Sequence, residues 1–244
     1  MSHLKAAPAS EILPSVPGGN SAGEKRLRWF EVSLVLLISL GNSLFNSLYI
    51  LSHGPGAAPR LTNLRVMLGM LSEATSLALL GYVLWRRGRR FGDIGLRWSF
   101  RDLGVGVIVL VVSYGFYVAG SYAIFFVHYW VVGTRAMGSS PKEIFGHPAI
   151  AFLPFSLLNG FFEELIVRAY LMTEVIELTG SKALAVFLSV LLQSSYHLYY
   201  GWWTATAVSF VFLAYSLYFV RWRRALPIIF AHEVFDLWAL IRLW

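Results

Sequence analysis

The chain has 244 residues, 57% of them hydrophobic and 16% aromatic but only 14% charged, with a mean hydropathy of +0.62. That composition excludes a soluble domain of this length and defines an integral membrane protein. The absence of cysteine excludes disulfide frameworks, thiolate zinc sites and a cysteine nucleophile, and the net charge of +7 lies in short Lys and Arg clusters between apolar runs, a pattern of topology signals that excludes a nucleic-acid partner.

Residues 1–24, rich in Pro, Ser, Gly and Ala and without a periodic apolar face, read as a disordered cytoplasmic tail. Residues 25–244 read as a single membrane domain. The first long apolar run follows Lys25, Arg26 and Arg28 as a signal peptide's core would, but its length and the lack of a small-residue cleavage pattern favour an uncleaved span. A helix needs about 20 apolar residues to cross roughly 30 Å of hydrocarbon. That yardstick predicts seven spans, near 30–51, 61–85, 103–127, 147–172, 183–199, 204–220 and 225–241. The run 183–220 holds no Asp, Glu, Lys or Arg and is nearly twice a crossing length, so it reads as a helical hairpin with Gly201 at its turn. The predicted fold class is all-α, a polytopic membrane bundle of seven to eight transmembrane helices. An eighth or re-entrant helix would move the C-terminus without changing the first three spans.

Orientation follows from the cations. Fourteen Lys and Arg residues fall in the tail and the second, fourth and sixth loops, against five (Arg60, Arg65, Arg135, Lys142 and Arg242) on the other side. The positive-inside rule places the N-terminus in the cytoplasm. Residues 91–100, where Arg alternates with apolar residues including Trp98, suit a short interfacial segment. The chain has no internal repeat, heptad seam or glycine-rich phosphate loop.

Four sites break the apolar pattern of the second half. The first is Glu163, Glu164 and Arg168 on the fourth span, the second His197 near the end of the fifth, and the third and fourth are His232 and Asp236 on the seventh. A carboxylate at the centre of a membrane helix costs roughly 2.5–3.5 kcal/mol on insertion scales, so these residues need compensation. Helical spacing puts Glu164 and Arg168 on one face, where they can pair, and turns Glu163 roughly 100° away, free for chemistry. His232 and Asp236 share a face one turn apart. The three helices accommodate these groups by packing around a shared polar cavity. There a carboxylate can take a proton from water, one imidazole can share that water or hold a metal, and a second imidazole with an acid partner can donate to an oxyanion. Two histidines and two or three carboxylates could equally ligate zinc or another divalent ion, with Glu163, His197 and His232 the candidate ligands, and spacing does not separate these chemistries.

Each site also has a plain structural reading: a buried ion pair for Glu164 and Arg168, an interfacial residue among tyrosines for His197, and a packing pair for His232 and Asp236. Their joint occurrence favours function. Glu73 on the second span either lines the same cavity or pairs with an arginine. His3, His53, His128 and His147 are expected to face solvent, and Trp29, Trp85, Trp130, Trp202, Trp203 and Trp244 read as interface anchors.

The order Glu-Glu-x-x-x-Arg at 163–168, then His197, then His-x-x-x-Asp at 232–236, each on a separate apolar helix, resembles the CAAX protease and bacteriocin-processing (Abi) family of intramembrane proteases, which includes the type II CAAX prenyl endopeptidase. The resemblance is best over 147–244, which it marks as a catalytic core. The second motif departs from the family's Phe-x-x-x-His, because Gln193 stands where phenylalanine is usual. The resemblance implies an endopeptidase acting on a membrane-associated or lipidated protein or peptide within the bilayer. It implies Glu163 as water-activating base, His197 sharing the water, His232 and Asp236 stabilising the oxyanion, and Glu164 with Arg168 holding the helix geometry. It leaves metal dependence open, including a divalent metal such as zinc. It also implies a multi-pass protein of a bacterial cell membrane.

Two other readings compete. One is a catalytically silent scaffold or bacteriocin-immunity-type protein that binds a peptide in the same cavity. The other is an ion-coupled transporter, which the lack of repeat symmetry disfavours. The predicted spans also impose a constraint: Glu163 falls on the cytoplasmic half of the fourth, whereas His197 lies 14 residues up the fifth, roughly 21 Å from that side. Tilt, a late helix start or unwinding must close that gap.

Overall fold

The computed structural model describes residues 22–59, 62–133, 142, 144 and 152–243. His3, Arg60, Arg135, His147, Trp244 and nearly all of the predicted tail lie outside the described residues. Among the described residues the chain forms seven helices and no strand. They are α1 (Ala22–His53), α2 (Asn63–Arg86), α3 (Arg101–Val132), α4 (152–179), α5 (Lys182–Tyr196), α6 (Trp202–Trp222) and α7 (Leu226–Leu243). Four of them, α1, α2, α3 and α6, are long and apolar enough to cross a membrane. The other three carry Glu163, Glu164, His232 and Asp236 or lead directly into His197.

The boundaries follow local chemistry. Thr62 caps α2 by accepting from the Arg65 amide at 3.3 Å, and Ser181 caps α5 by accepting from Leu184 at 3.1 Å. Gly180 ends α4 in the left-handed region at φ 73°, so the Gly180-Ser181 pair closes one helix and opens the next. Gly201, the predicted hairpin turn, sits at φ 89° immediately before α6. Pro227 falls in the first turn of α7, where its missing N–H has no helical acceptor to lose.

α4 is the hub, packing against α1, α2, α5, α6 and α7. It is continuous but not uniform: α-helical Phe152–Glu163 and Thr173–Thr179 flank a π-helical stretch, Glu164–Met172, in which all nine residues are buried. α3 lies along α6 and α7, and its close approach rests on missing side chains. A Cβ on Gly106 would fall 2.6 Å from the Phe230 ring and one on Gly120 would fall 2.3 Å from the Phe210 ring, the small-residue packing that membrane helices use in place of a hydrophobic driving force.

Where the arginines gather, the helix ends are tied by ion pairs. Glu174, fully buried, accepts from Arg28 at 2.8 Å, Arg87 at 2.7 Å and Arg89 at 3.1 Å. Glu177 takes Arg28 and Arg89, and buried Glu31 takes Arg86 and Arg87. The residues counted as topology signals are therefore also the clamp that joins α1, α2 and α4. Asp102 and Arg224 form a second tie, between the start of α3 and the α6–α7 turn. The interfacial segment contributes a 3₁₀ turn, Phe91–Ile94, after which Gly95 accepts from the Ala225 amide at 2.9 Å.

Two expectations are corrected. The fourth helix does not stop at 172 but runs seven residues further, to Thr179, because Glu174 and Glu177 face arginine partners instead of water. Glu163 then stands 16 residues from that end, roughly 24 Å, and His197 stands 15 residues from the start of α5, roughly 22 Å, so the two lie level. His128 is buried at 2% exposure, with its ring edge-on to Trp203 at 5.0 Å, because α3 continues past the predicted boundary and carries it under α6.

Removing the buried member of the clamp leaves three guanidiniums without their shared carboxylate. Glu174→Ala is expected to destabilise the fold by about 3–5 kcal/mol, and Glu177→Ala, whose carboxylate is 37% exposed, by less than about 1 kcal/mol. Equilibrium unfolding in detergent micelles checks the difference.

Candidate active site

The sequence places three ionisable groups within six residues of α4, and the fold gives them opposite surroundings. Glu164 and Arg168 have no exposed surface. Their charges approach to 3.4 Å between Nε and Oε2, an ion contact one helical turn apart, as the spacing predicted. Arg168 also donates Nη2 to the Phe212 carbonyl at 3.4 Å and sits over the rings of Phe212 and Tyr215, at 5.5 and 5.8 Å from their centres. The second oxygen of Glu164 meets His232 Nδ1 at 2.9 Å. A carboxylate only accepts, so Nδ1 carries a proton there. The other nitrogen, Nε2, lies 3.6 Å from Asp236 Oδ1. Arg168, Glu164, His232 and Asp236 thus form one line of charges from α4 into α7, and His232 is held at both ends.

Glu163 turns the other way. It lines a cavity of about 350 Å³ together with His197, His232, Asp236, Asn159 and Tyr196. Its Oε2 accepts from Gln193 Nε2 and from the Tyr196 hydroxyl, each at 2.9 Å. Both donors act on that one oxygen, which leaves Oε1 to the cavity. His197, just past the end of α5, donates Nδ1 to the Gln193 carbonyl at 2.9 Å, since a carbonyl also only accepts. The neutral ring therefore has its lone pair on Nε2, and the ring lies in the field of Glu163.

The structure brings Glu163, His197, His232 and Asp236 to one cavity. Glu164 and Arg168 stand behind it. Among the described residues Glu73 finds no arginine: it is 7% exposed and accepts from Asn159 Nδ2 at 2.9 Å, so α2 reaches the cavity through the asparagine that lines it. Sequence reasoning missed Gln193 and Tyr196 as partners of Glu163, and missed Asn159. The spacing of Gln193 four residues and Tyr196 one residue before His197 was in view, but neither is charged, and the site was read from its charged groups alone. It also missed Glu233, which approaches α4 where Gly160 leaves room; a Cβ on that glycine would fall 2.8 Å from Glu233 Oε1.

The metal reading can be tested on the donor set. Among the described residues no three His, Asp or Glu side chains are placed to share one ion. His232 directs both nitrogens at carboxylates, and the bonded oxygen of Glu163 faces two hydrogen-bond donors. A catalytic zinc takes three protein ligands. Glu163, His197 and His232 in this arrangement do not fit that set.

The fold and the cavity together define a helical integral membrane protein with an ionisable site buried among its helices. Residues 145–238 match the family model described as Rce1-like, type II CAAX prenyl endopeptidase Rce1-like, and this stretch contains every residue of the line from Glu163 to Asp236. The match covers less than half of the chain and agrees with the resemblance read from its motifs. No curated protein and no solved structure matches it.

If the charge line holds the site, breaking it is costly and local. Arg168→Met is expected to destabilise by about 3–5 kcal/mol, because it leaves Glu164 a buried carboxylate with His232 alone. Adding Glu164→Gln should recover part of that loss, and a double-mutant cycle on unfolding free energies measures the coupling.

Proposed function

We propose that the protein is an intramembrane endopeptidase that hydrolyses a peptide bond of a membrane-bound or lipidated protein or peptide, with Glu163 as the base. The observation that carries the reading is that Glu163 and His197 line one cavity, Glu163 Oε1 having no hydrogen-bond partner among the described residues and a neutral His197 ring keeping its lone pair on Nε2. The Rce1-like match supports the same class of reaction.

The residues assign the steps. A water held between Glu163 Oε1 and His197 Nε2 gives a proton to the carboxylate while its oxygen bonds the scissile carbonyl carbon. The carbonyl oxygen becomes an oxyanion, which the His232 ring in its doubly protonated form, fixed by Glu164 through Nδ1–H and flanked by Asp236, stabilises through Nε2–H. Collapse breaks the C–N bond, and the proton on Glu163 passes to the leaving amine, restoring the carboxylate. Glu164 and Arg168 act by holding His232 and the helix, without touching substrate. By the positive-inside rule the arginine-rich end and the N-terminus lie in the cytoplasm, as suits a bacterial cell membrane.

The test uses purified full-length protein in liposomes with two probes, a farnesylated peptide ending in Cys-aliphatic-aliphatic-X and an unprenylated transmembrane peptide. Glu163→Gln and His197→Ala are expected to lower cleavage of the accepted probe by roughly 100-fold or more, with unchanged insertion and melting. Cleavage by Glu163→Gln at the wild-type rate would overturn the assignment. A scaffold role predicts instead that both probes stay intact with wild-type protein while one of them binds.

A further inference from the structure

Gln193 is the one motif position the mechanism above leaves without work. It is completely buried, on the face of α5 that meets α4. An amide in such a place is expensive unless bonded, and the phenylalanine that the motif resemblance expects there would bury without that cost. The orientation of the amide is fixed by chemistry: its neighbour at 2.9 Å is a carboxylate oxygen, which repels an amide oxygen and attracts an N–H. The Gln193 side-chain oxygen finds no partner among the described residues. The side chain therefore keeps an unbonded acceptor in order to place its donor on Glu163.

The second donor, Tyr196, lies three residues on, one helical turn away on the same face, and its hydroxyl reaches the same oxygen. An unrestrained glutamate has three rotatable bonds and two equivalent oxygens. With Oε2 pinned by two donors from one turn of α5, the plane of the carboxyl is set and Oε1 is the oxygen left to the cavity. The same turn continues into His197, whose ring is held by the backbone carbonyl of Gln193 itself. One residue thus fixes the base by its side chain and the neighbouring imidazole by its main chain. Glu164 lies within the reach of the same amide, but its charge is answered chiefly by Arg168 and His232.

We infer that Gln193, seconded by Tyr196, is a positioning residue that anchors Oε2 of Glu163 and aims Oε1 at the reacting water. The inference rests on the proposed hydrolysis for its consequence, but the anchoring itself is a property of the resting protein. Holding a reacting group in one geometry accounts for large factors in rate, and losing it by an ångström can cost about 100-fold.

Two readouts test it. The first is carbodiimide labelling of intramembrane carboxyls in full-length protein in liposomes, with the modified residue located by mass spectrometry. Dicyclohexylcarbodiimide attacks accessible protonated carboxyls, and donors on a carboxylate both shield it and favour its charged form. Gln193→Met, which removes the amide at similar volume, and Tyr196→Phe, which removes only the hydroxyl, are each expected to speed labelling of Glu163 several-fold, with Glu164 unlabelled throughout. An unchanged Glu163 rate in both variants overturns the inference, whatever the protein cleaves. The second readout is cleavage of the probe the wild type accepts. The expected result is a kcat lower by roughly 10- to 100-fold with KM within twofold, and unchanged melting. Equal loss in kcat and melting temperature, or a rise in KM alone, marks a packing role and rejects positioning. If Glu163→Gln abolishes cleavage while Gln193→Met and Tyr196→Phe do not reduce it, the inference falls and the protease reading stands. If Glu163→Gln still cleaves, the reading itself falls.

Discussion

Glu164 is a carboxylate with no exposed surface near the middle of the helix that touches nearly every other one, and the fold depends on how that charge is answered. In a bundle surrounded by hydrocarbon there is no water to share the load, so partners must come from the protein. One comes from the same helix, Arg168, and one from α7, His232. The second partner matters more for architecture. It fixes the depth and rotation of α7 against α4, and so carries Asp236, one turn further, to the cavity wall. Arg168 extends the line into α6 through the Phe212 carbonyl and the rings of Phe212 and Tyr215. Two neighbouring glutamates thereby receive different tasks from their environments: one is enclosed by cations, and the other is turned to a cavity with neutral donors on one oxygen.

Depth is set by a different constraint. α4 and α5 are the two arms of one hairpin closed at Gly180-Ser181, so the distance of any residue from that turn is its height in the bundle. Glu163 and His197 are nearly equidistant from it in residues, and both reach the same cavity. The ion clamp of Glu174 and Glu177 with Arg28, Arg87 and Arg89 lies near the base of this hairpin. Its effect is to hold the last turn of α4 helical and to tie the height scale to α1 and α2. The site is positioned from its far end.

The helices were legible from their apolar runs, although among the described residues only four of the seven are long and apolar enough to cross a membrane, and the charged site residues were legible because burying them carries a cost. The pairing of Glu164 with Arg168 followed from helical spacing. What stayed hidden is what depends on tertiary partners. The fourth span was drawn to 172 and stopped short of Glu174 and Glu177, since nothing local says that arginines from α1 and the end of α2 converge on them. Gln193 read as a lost aromatic, because its meaning lies in a carboxylate 30 residues earlier in the chain, a partner that local spacing does not reveal. The π-helical stretch Glu164–Met172 has no sequence signature, and the fourth span was drawn as one regular helix. His128 was assigned to solvent from a span boundary that fell a few residues short.

If the proposed hydrolysis takes place at this cavity, the cavity also constrains what can be cut. In a membrane helix each carbonyl is hydrogen-bonded to an amide four residues on and sheathed by side chains, so a water beside Glu163 cannot reach it until the helix opens. Opening exposes backbone groups that lipid cannot satisfy, whereas this cavity offers polar walls: Asn46 from α1, Asn159 from α4 with its amide held by Glu73, and Tyr200. The last four carbonyls of any helix lack helical partners already. On the proposed hydrolysis, a bond near the end of a membrane-anchored chain would reach Glu163 with less backbone to unbond than one in mid-span, and such a site would favour a tail over the middle of a helix.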